Sequence, residues 1–173
     1  MKYLFSLSLF SLFIIASFSA CAQKDKSKRP SPPALVTQKV GDATISIDYS
    51  QPSIKGRTIG KDLEPMPGKV WRTGANEATV FEVDKDVMVE GKVLPKGKYG
   101  LFTIQNGDDW TIIFNKTWDQ WGAFKYSDAD DALRVNVKAK KQEASTEKMT
   151  FAISAAGVVT LLWGNIEVDF TVK

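Results

Sequence analysis

Tyr99-Gly100-Leu101-Phe102-Thr103-Ile104 and Trp110-Thr111-Ile112-Ile113-Phe114, joined across Gln105-Asn106-Gly107-Asp108-Asp109, decide the class of this chain. Both runs are rich in β-branched and aromatic residues, and the residues between them are turn formers, so the pair reads as a β-hairpin. The second run is apolar on both faces, which predicts a strand in the middle of a sheet, covered on both sides.

Outward from this hairpin the same grammar repeats. Upstream, Ala43-Thr44-Ile45-Ser46-Ile47-Asp48-Tyr49 alternates with period two, as a half-buried strand does. Thr79-Val80-Phe81-Glu82-Val83 and Val87-Met88-Val89 follow; Glu90-Gly91 marks a tight hairpin, and Leu94-Pro95-Lys96-Gly97 a type I or II turn. Downstream, Leu133 to Val137 alternates, Lys138 to Lys148 is a lysine-rich loop or strand extension, and Met149 to Ile153 is a strand. Val158 to Trp163 and Ile166 to Val172 read as a last hairpin turning at Gly164-Asn165. About ten short strands, with no amphipathic helix of ten or more residues, predict an all-β fold: an antiparallel, jelly-roll-like β-sandwich.

The chain has 173 residues, about one domain. Residues 1–20 have the pattern of a signal peptide: Lys2, an apolar run from Leu4 to Phe18, then Ser19-Ala20. Residues 21–37, with Pro30-Ser31-Pro32-Pro33, read as a tether or linker that would lift residues 38–173, the single folded domain, off a membrane. Cys21 is the only cysteine, so no disulfide forms within the chain. Phe18-Ser19-Ala20-Cys21 is placed like a lipobox, which would make Cys21 a lipidation site; cleavage after Ala22 is the alternative. The expected location is outside the cytoplasm, in the periplasm or at the cell surface, held to the outer membrane by lipid. Without Lys2, 22 basic side chains face 20 acidic ones, which is no nucleic-acid footprint. Histidine is absent, which removes Ser-His-Asp and Cys-His devices and histidine-ligated zinc.

Two irregular segments hold the residue types that bind ligands. Gly68-Lys69-Val70-Trp71-Arg72-Thr73-Gly74-Ala75-Asn76-Glu77-Ala78-Thr79 gathers Lys69, Arg72, Asn76 and Glu77 around two glycines, with Arg57 upstream. Arg72 offers a fork of donors to a carboxylate or phosphate, and Asn76 adds neutral hydrogen bonds. The structural reading pairs Arg72 with Glu77 or Asp131 and has Asn76 close a turn. The second segment, Asn115 to Asp131, holds Trp118 and Trp121 among Asn115, Asp119 and Gln120. That mixture suits a saccharide, whose apolar face stacks on indole; the alternative is that the rings plug one end of the sandwich. A short helical turn fits Trp118 to Trp121, while Trp110 and Trp163 belong to the core. Ser127-Asp128-Ala129-Asp130-Asp131 lacks the spacing of a calcium loop and reads as a solvated turn. Glu77 with Asp119 or Asp131 could form a glycosidase-type pair only if their separation allows it. No cofactor or metal is expected.

Tyr49-Ser50-Gln51-Pro52-Ser53-Ile54-Lys55-Gly56-Arg57, the Gly68–Thr79 stretch, Leu94-Pro95-Lys96-Gly97-Lys98-Tyr99, Thr111-Ile112-Ile113-Phe114-Asn115-Lys116 and Asp119-Gln120-Trp121-Gly122-Ala123 occur in order. Together they resemble the domain-of-unknown-function family 2911, from about Tyr49 to the end of the chain. The resemblance implies an exported or lipid-anchored protein of the kind found mainly in Bacteroidota, and no activity. Gln23-Lys24-Asp25 resembles the signal that carries some Bacteroidota lipoproteins to the cell surface. The expected role is a non-catalytic binding module for a small polar or saccharide ligand, or for an envelope protein partner. A purely structural envelope protein and a carboxylate-based hydrolase are the alternatives.

Overall fold

Alternation along the chain writes the strands. In β2 (Ala43–Ser50), Ile45, Ile47 and Tyr49 are buried while Thr44, Ser46 and Asp48 face outward. The computed structural model describes residues 25–173, so the leader and Cys21 lie outside the described residues. The other strands are β1 (Pro33–Val40), β3 (Val70–Trp71), β4 (Val80–Val83), β5 (Val87–Val89), β6 (Lys92–Leu94), β7 (Gly97–Asn106), β8 (Asp109–Asn115), β9 (Asp131–Ile153) and β10 (Val158–Thr171). The helical elements among the described residues are two single 3₁₀ turns, Lys26–Lys28 and Asp128–Asp130. The fold is all-β and antiparallel, as expected.

The main sheet runs β1-β2-β4-β7-β8-β9-β10, so its strands meet in chain order as a meander. β3 and β4 both pair with β7, at Thr103–Ile104 and at Gly97–Gly100 respectively. They are therefore collinear on one side of β7, and the Arg72–Thr79 corner is the link between them. The hairpin β5–β6 turns at Glu90 and Gly91, both at positive φ (49° and 77°), as a type I′ turn requires. It docks on the end of β10 through the Val89–Val172 bridge.

β9 curls the sheet. Its first part pairs with β8 and its later part with β10, so one 23-residue strand serves both layers. Behind β2, Met149 N donates to Pro52 O (3.0 Å) and Ile54 N to Glu147 O (3.0 Å), which ties the curled part back to the other end of the sheet. The layers meet in one apolar core. Phe81 of β4, Phe114 of β8 and Phe170 of β10 form an aromatic triangle with centroids 4.9 to 6.2 Å apart. The Phe81–Phe114 and Phe114–Phe170 pairs are edge-to-face, and each adds about 0.5–1.5 kcal/mol beyond the area it buries.

β8 is covered on both sides, as its doubly apolar sequence implies. Ile112 and Phe114 enter the main core; Ile113 points to the other face, where it joins Phe102, Ala78, Ala123 and Tyr126 in a second, smaller cluster. That cluster needs a cover, and the segment 116–126 supplies it.

Four expectations change. Residues 33–37, read as linker because of the prolines, form the start of β1 and pair with β2 from Pro33↔Ser50 onward. Residues 25–32 are held against the domain rather than lifting it away. Gly164-Asn165 makes no hairpin: β10 continues through it, with register shifts on either side of Gly164 at φ +59°. A glycine at positive φ serves a β-bulge as readily as a turn, so the local signal is the same for both. Trp118 to Trp121 is not helical: the segment bends at Asp119, Gln120 N donates to Trp118 O (3.1 Å), and Trp121 pairs with Glu77 as an isolated bridge.

Candidate functional site

The Arg72–Thr79 corner is held from within. Thr73 (φ +51°) and Asn76 (φ +58°) take the left-handed conformation that reverses the chain. Thr79 Oγ1 donates to Thr73 O (2.8 Å), Thr73 Oγ1 to Thr103 Oγ1 (3.1 Å), and Trp71 Nε1 to Gly74 O (3.0 Å). Gly74 has no room for a side chain: a Cβ there would lie 2.9 Å from Thr79 Oγ1 and 3.2 Å from Ser50 O.

From without, two segments clamp the corner. Ala78 N donates to Gln120 O and Gly122 N to Asn76 O, both at 2.9 Å, which ties it to the 116–126 segment. Asn76 Nδ2 donates to Ser31 O (3.0 Å), and Arg29 Nη1 meets both oxygens of Glu77 (3.0 and 2.7 Å). Lys26 Nζ lies 3.2 Å from the same carboxylate, and the Arg29 guanidinium sits 5.8 Å over the Trp121 ring. Residues 25–31 thus form a strap across the corner. Burial works to raise the Glu77 pKa, but hydrogen bonds from Arg29, its own backbone and Lys26 outweigh it and hold the carboxyl below its ordinary value.

The eight sequence-predicted residues therefore separate. Asn115 is fully buried and spent: its Nδ2 donates to Ser127 O and Asp131 Oδ1 (2.8 Å each), and its Oδ1 accepts from Thr117 N (2.9 Å). Asn76 is half-buried, with its Nδ2 committed to Ser31 O. Lys69 is exposed beside β3 and lines neither of the hollows described below. Glu77 and Asp119 share a hollow of about 170 Å³ with Lys26, Asp48 and Trp118. Trp121 does not line it and is half-exposed under Arg29. Arg57 and Arg72 come together in a second, open cleft of about 370 Å³, closed by Asp62, Glu64, Met66 and Trp71.

The expected pairing of Arg72 with Glu77 or Asp131 does not occur. Glu77 belongs to Arg29 and Lys26; Asp131 belongs to Arg134 and Asn115 and accepts from the Tyr126 hydroxyl at 3.0 Å. Burial and that hydrogen bond push the Tyr126 phenol up to about 12. Arg72 has no carboxylate within 4.0 Å among the described residues, and its Nε, shielded from water, has no hydrogen-bond partner. Burial pulls its pKa down, opposed by the field of Glu64. Glu64 is itself turned to its own loop, where Oε2 accepts from Met66 N (2.7 Å). Arg57 is oriented by Ser53 O (2.5 Å) and Ile54 O (3.1 Å).

No described residues form a cluster of three or more His, Cys, Asp or Glu able to hold a metal ion. Asp128–Asp130 is a 3₁₀ turn, with Asp130 Oδ2 accepting from Thr117 Oγ1 (3.1 Å).

A family model described as "Protein of unknown function (DUF2911)" matches residues 31–172. The chain belongs to this family. The matched stretch takes in every strand, the corner, the cleft and the 116–126 segment, and starts at Ser31, within the strap. No curated protein matches the chain, and neither does any solved structure. Within this DUF2911 domain sequence reasoning missed Asp62 and Glu64, and in the strap just before it Lys26 and Arg29. Their one signal was charge, and the strap's charges sit in a basic run that reads equally well as a solvated tether.

Proposed function

We propose that this DUF2911 protein is an exported, lipid-anchored envelope protein that binds a small polar ligand in the Arg57–Arg72 cleft without transforming it. The observation that carries this reading is Arg72, a guanidinium on the wall of an open cleft with no carboxylate partner and an unsatisfied Nε. A buried donor left unmade costs about 1–3 kcal/mol, and an acceptor on a ligand recovers it. Size agrees: ligand sites run to roughly 300–1,000 Å³, which admits the cleft of about 370 Å³ and not the hollow of about 170 Å³ beside Glu77. Size alone does not choose, because a hollow of about 440 Å³ lies by the β1–β2 turn without such an orphaned group.

Two guanidinium groups with two carboxylates fit a ligand that presents one acid group beside several hydroxyls, such as an acidic saccharide. The fork of Arg72 takes the acid, and Asp62 and Glu64 take hydroxyls. Glu77 does not serve as a general acid here. Its carboxyl is held ionised and occupied by Arg29 and Lys26. Export and anchoring rest on the leader pattern and on Cys21. No helix of the described residues is long and apolar enough to cross a membrane.

Calorimetry against a panel of uronic acids, sugar phosphates and neutral sugars tests the cleft. An acidic member is expected to bind, and Arg72→Met to weaken it at least tenfold with the fold intact. If no member binds and Arg72→Met instead lowers the melting temperature, the cleft is structural. Palmitate labelling in wild type and its loss in Cys21→Ser tests the anchor.

A further inference from the structure

We propose that the 118–124 loop is a membrane-contact face, which seats the domain on the surface of the bilayer that holds its lipid. The apolar side chains on this loop stand outward. Phe124 is 85% exposed, Trp121 54% and Trp118 37%, whereas Trp71, Trp110 and Trp163 are at most 1% exposed. Three of the six exposed large hydrophobic residues of the described chain lie within these seven positions.

The exposure is built in. Gln120, itself buried, donates from Nε2 to Thr117 O (2.6 Å) and accepts at Oε1 from Lys125 N (2.9 Å). With the Gln120 and Asn76 backbone bonds to the corner, this fixes the loop from both sides and presents the rings. Indole and phenyl rings held at a rim are the side chains that settle at the headgroup level of a bilayer.

Cations accompany them. Lys98 lies 5.5 Å over the Trp118 ring, Arg29 lies 5.8 Å over Trp121, and Lys125 follows Phe124. Of the local carboxylates, Glu77 is paired with Arg29 and Lys26 and Glu82 with Lys98 (3.2 Å), while Asp48 and Asp119 are in no ion pair among the described residues, so the rim carries both signs. Cations beside exposed rings reach the lipid phosphates while the rings settle among the headgroups.

The chain itself points to the occupant. The strap brings Lys26 and Arg29 to Glu77 and Trp121, so the chain enters the described domain at this loop. Three residues lie between Cys21 and Asp25, and the four steps of chain, fully extended, reach about 14 Å. A lipid on Cys21 would therefore hold this end of the domain close to the bilayer. This last argument rests on the anchoring proposed above; the exposed, braced rings and their cations do not.

Vesicle binding separates the two. Non-acylated Cys21→Ser protein is mixed with phosphatidylglycerol–phosphatidylethanolamine vesicles, or with phosphatidylcholine vesicles, carrying brominated acyl chains. Because three tryptophans are buried, an emission shift and bromine quenching report on Trp118 and Trp121. The expected result is binding to both kinds of vesicle, reduced at least tenfold by Phe124→Ser, with an unchanged melting temperature. Binding by Cys21→Ser in the absence of any palmitate on wild type would uphold the face and reject the anchor. Acylated protein on vesicles whose exposed tryptophans stay open to iodide and unquenched by bromine would reject the face and keep the anchor. Rings that are open on vesicles yet protected in intact envelopes would reject the face in favour of a protein partner.

Discussion

Glu77 shows how one side chain changes meaning between sequence and structure. On the chain it stands five residues from Arg72 and invites pairing with it; in the fold its partners are Lys26 and Arg29, the latter 48 residues away. The folded-state pKa of its carboxyl lies below the ordinary value of 4.5. A depressed carboxyl contributes stability that is complete above the unfolded value and is lost as pH falls through the folded one. The group is partly exposed, so the contribution is small, about 0.5–1 kcal/mol. Glu77→Gln is therefore expected to lower the melting temperature slightly at neutral pH and to match wild type in strong acid. Melting curves across pH check this, and a difference that persists unchanged in acid would show that the side chain acts through packing. Asn115 makes the converse point. Amides are weak strand formers, so its place at the end of β8 hinted at a special role, yet complete burial with both ends of its amide bonded makes that role structural.

Among elements, turns were read more surely than strand ends. Glu90-Gly91 and Gly107 do what their residue types announce. Gly164 has the same chemistry but marks a bulge in a continuous strand, since nothing local says whether the next residues return on the same partner or go on. The β9–β10 connection offers a test. Gly157 has φ +83°, and a Cβ there would lie 1.9 Å from Val172 O, the carbonyl of the residue whose N–H donates to Gly157 O at 2.7 Å. Gly157→Ala combines backbone strain with a clash against main chain and is expected to cost more than about 2 kcal/mol. Gly41 also has positive φ (57°) but has open space about its Cβ, so Gly41→Ala is expected to cost only about 1 kcal/mol. Urea unfolding of the two variants ranks them, and equal midpoints would refute the clash. β1 was missed in part because its prolines resemble a linker, yet an edge strand tolerates proline at its first position, as at Pro33.

For the whole molecule, the curl of β9 has an energetic consequence. One core takes side chains from both layers, and Phe170 of β10 reaches Phe81 and Phe114 across it. Neither layer can keep its apolar face dry alone, so the domain is expected to unfold in one step, with circular dichroism and tryptophan fluorescence giving coincident transitions. Phe170→Ala should cost about 3–5 kcal/mol and keep that single step; two separated transitions would mean the layers are independent. The sequence by itself determined the all-β class, the central and doubly covered place of β8 and the hairpin turns, because side-chain alternation and turn chemistry act over a few residues. Tertiary structure alone decided that Arg72 faces a cleft instead of Glu77, that the supposed tether straps the corner, and that Trp118, Trp121 and Phe124 stand outward beside the point where the chain enters the domain. Those facts depend on which distant strands meet and in what register. Charges and rings carry no mark of that until the backbone is folded.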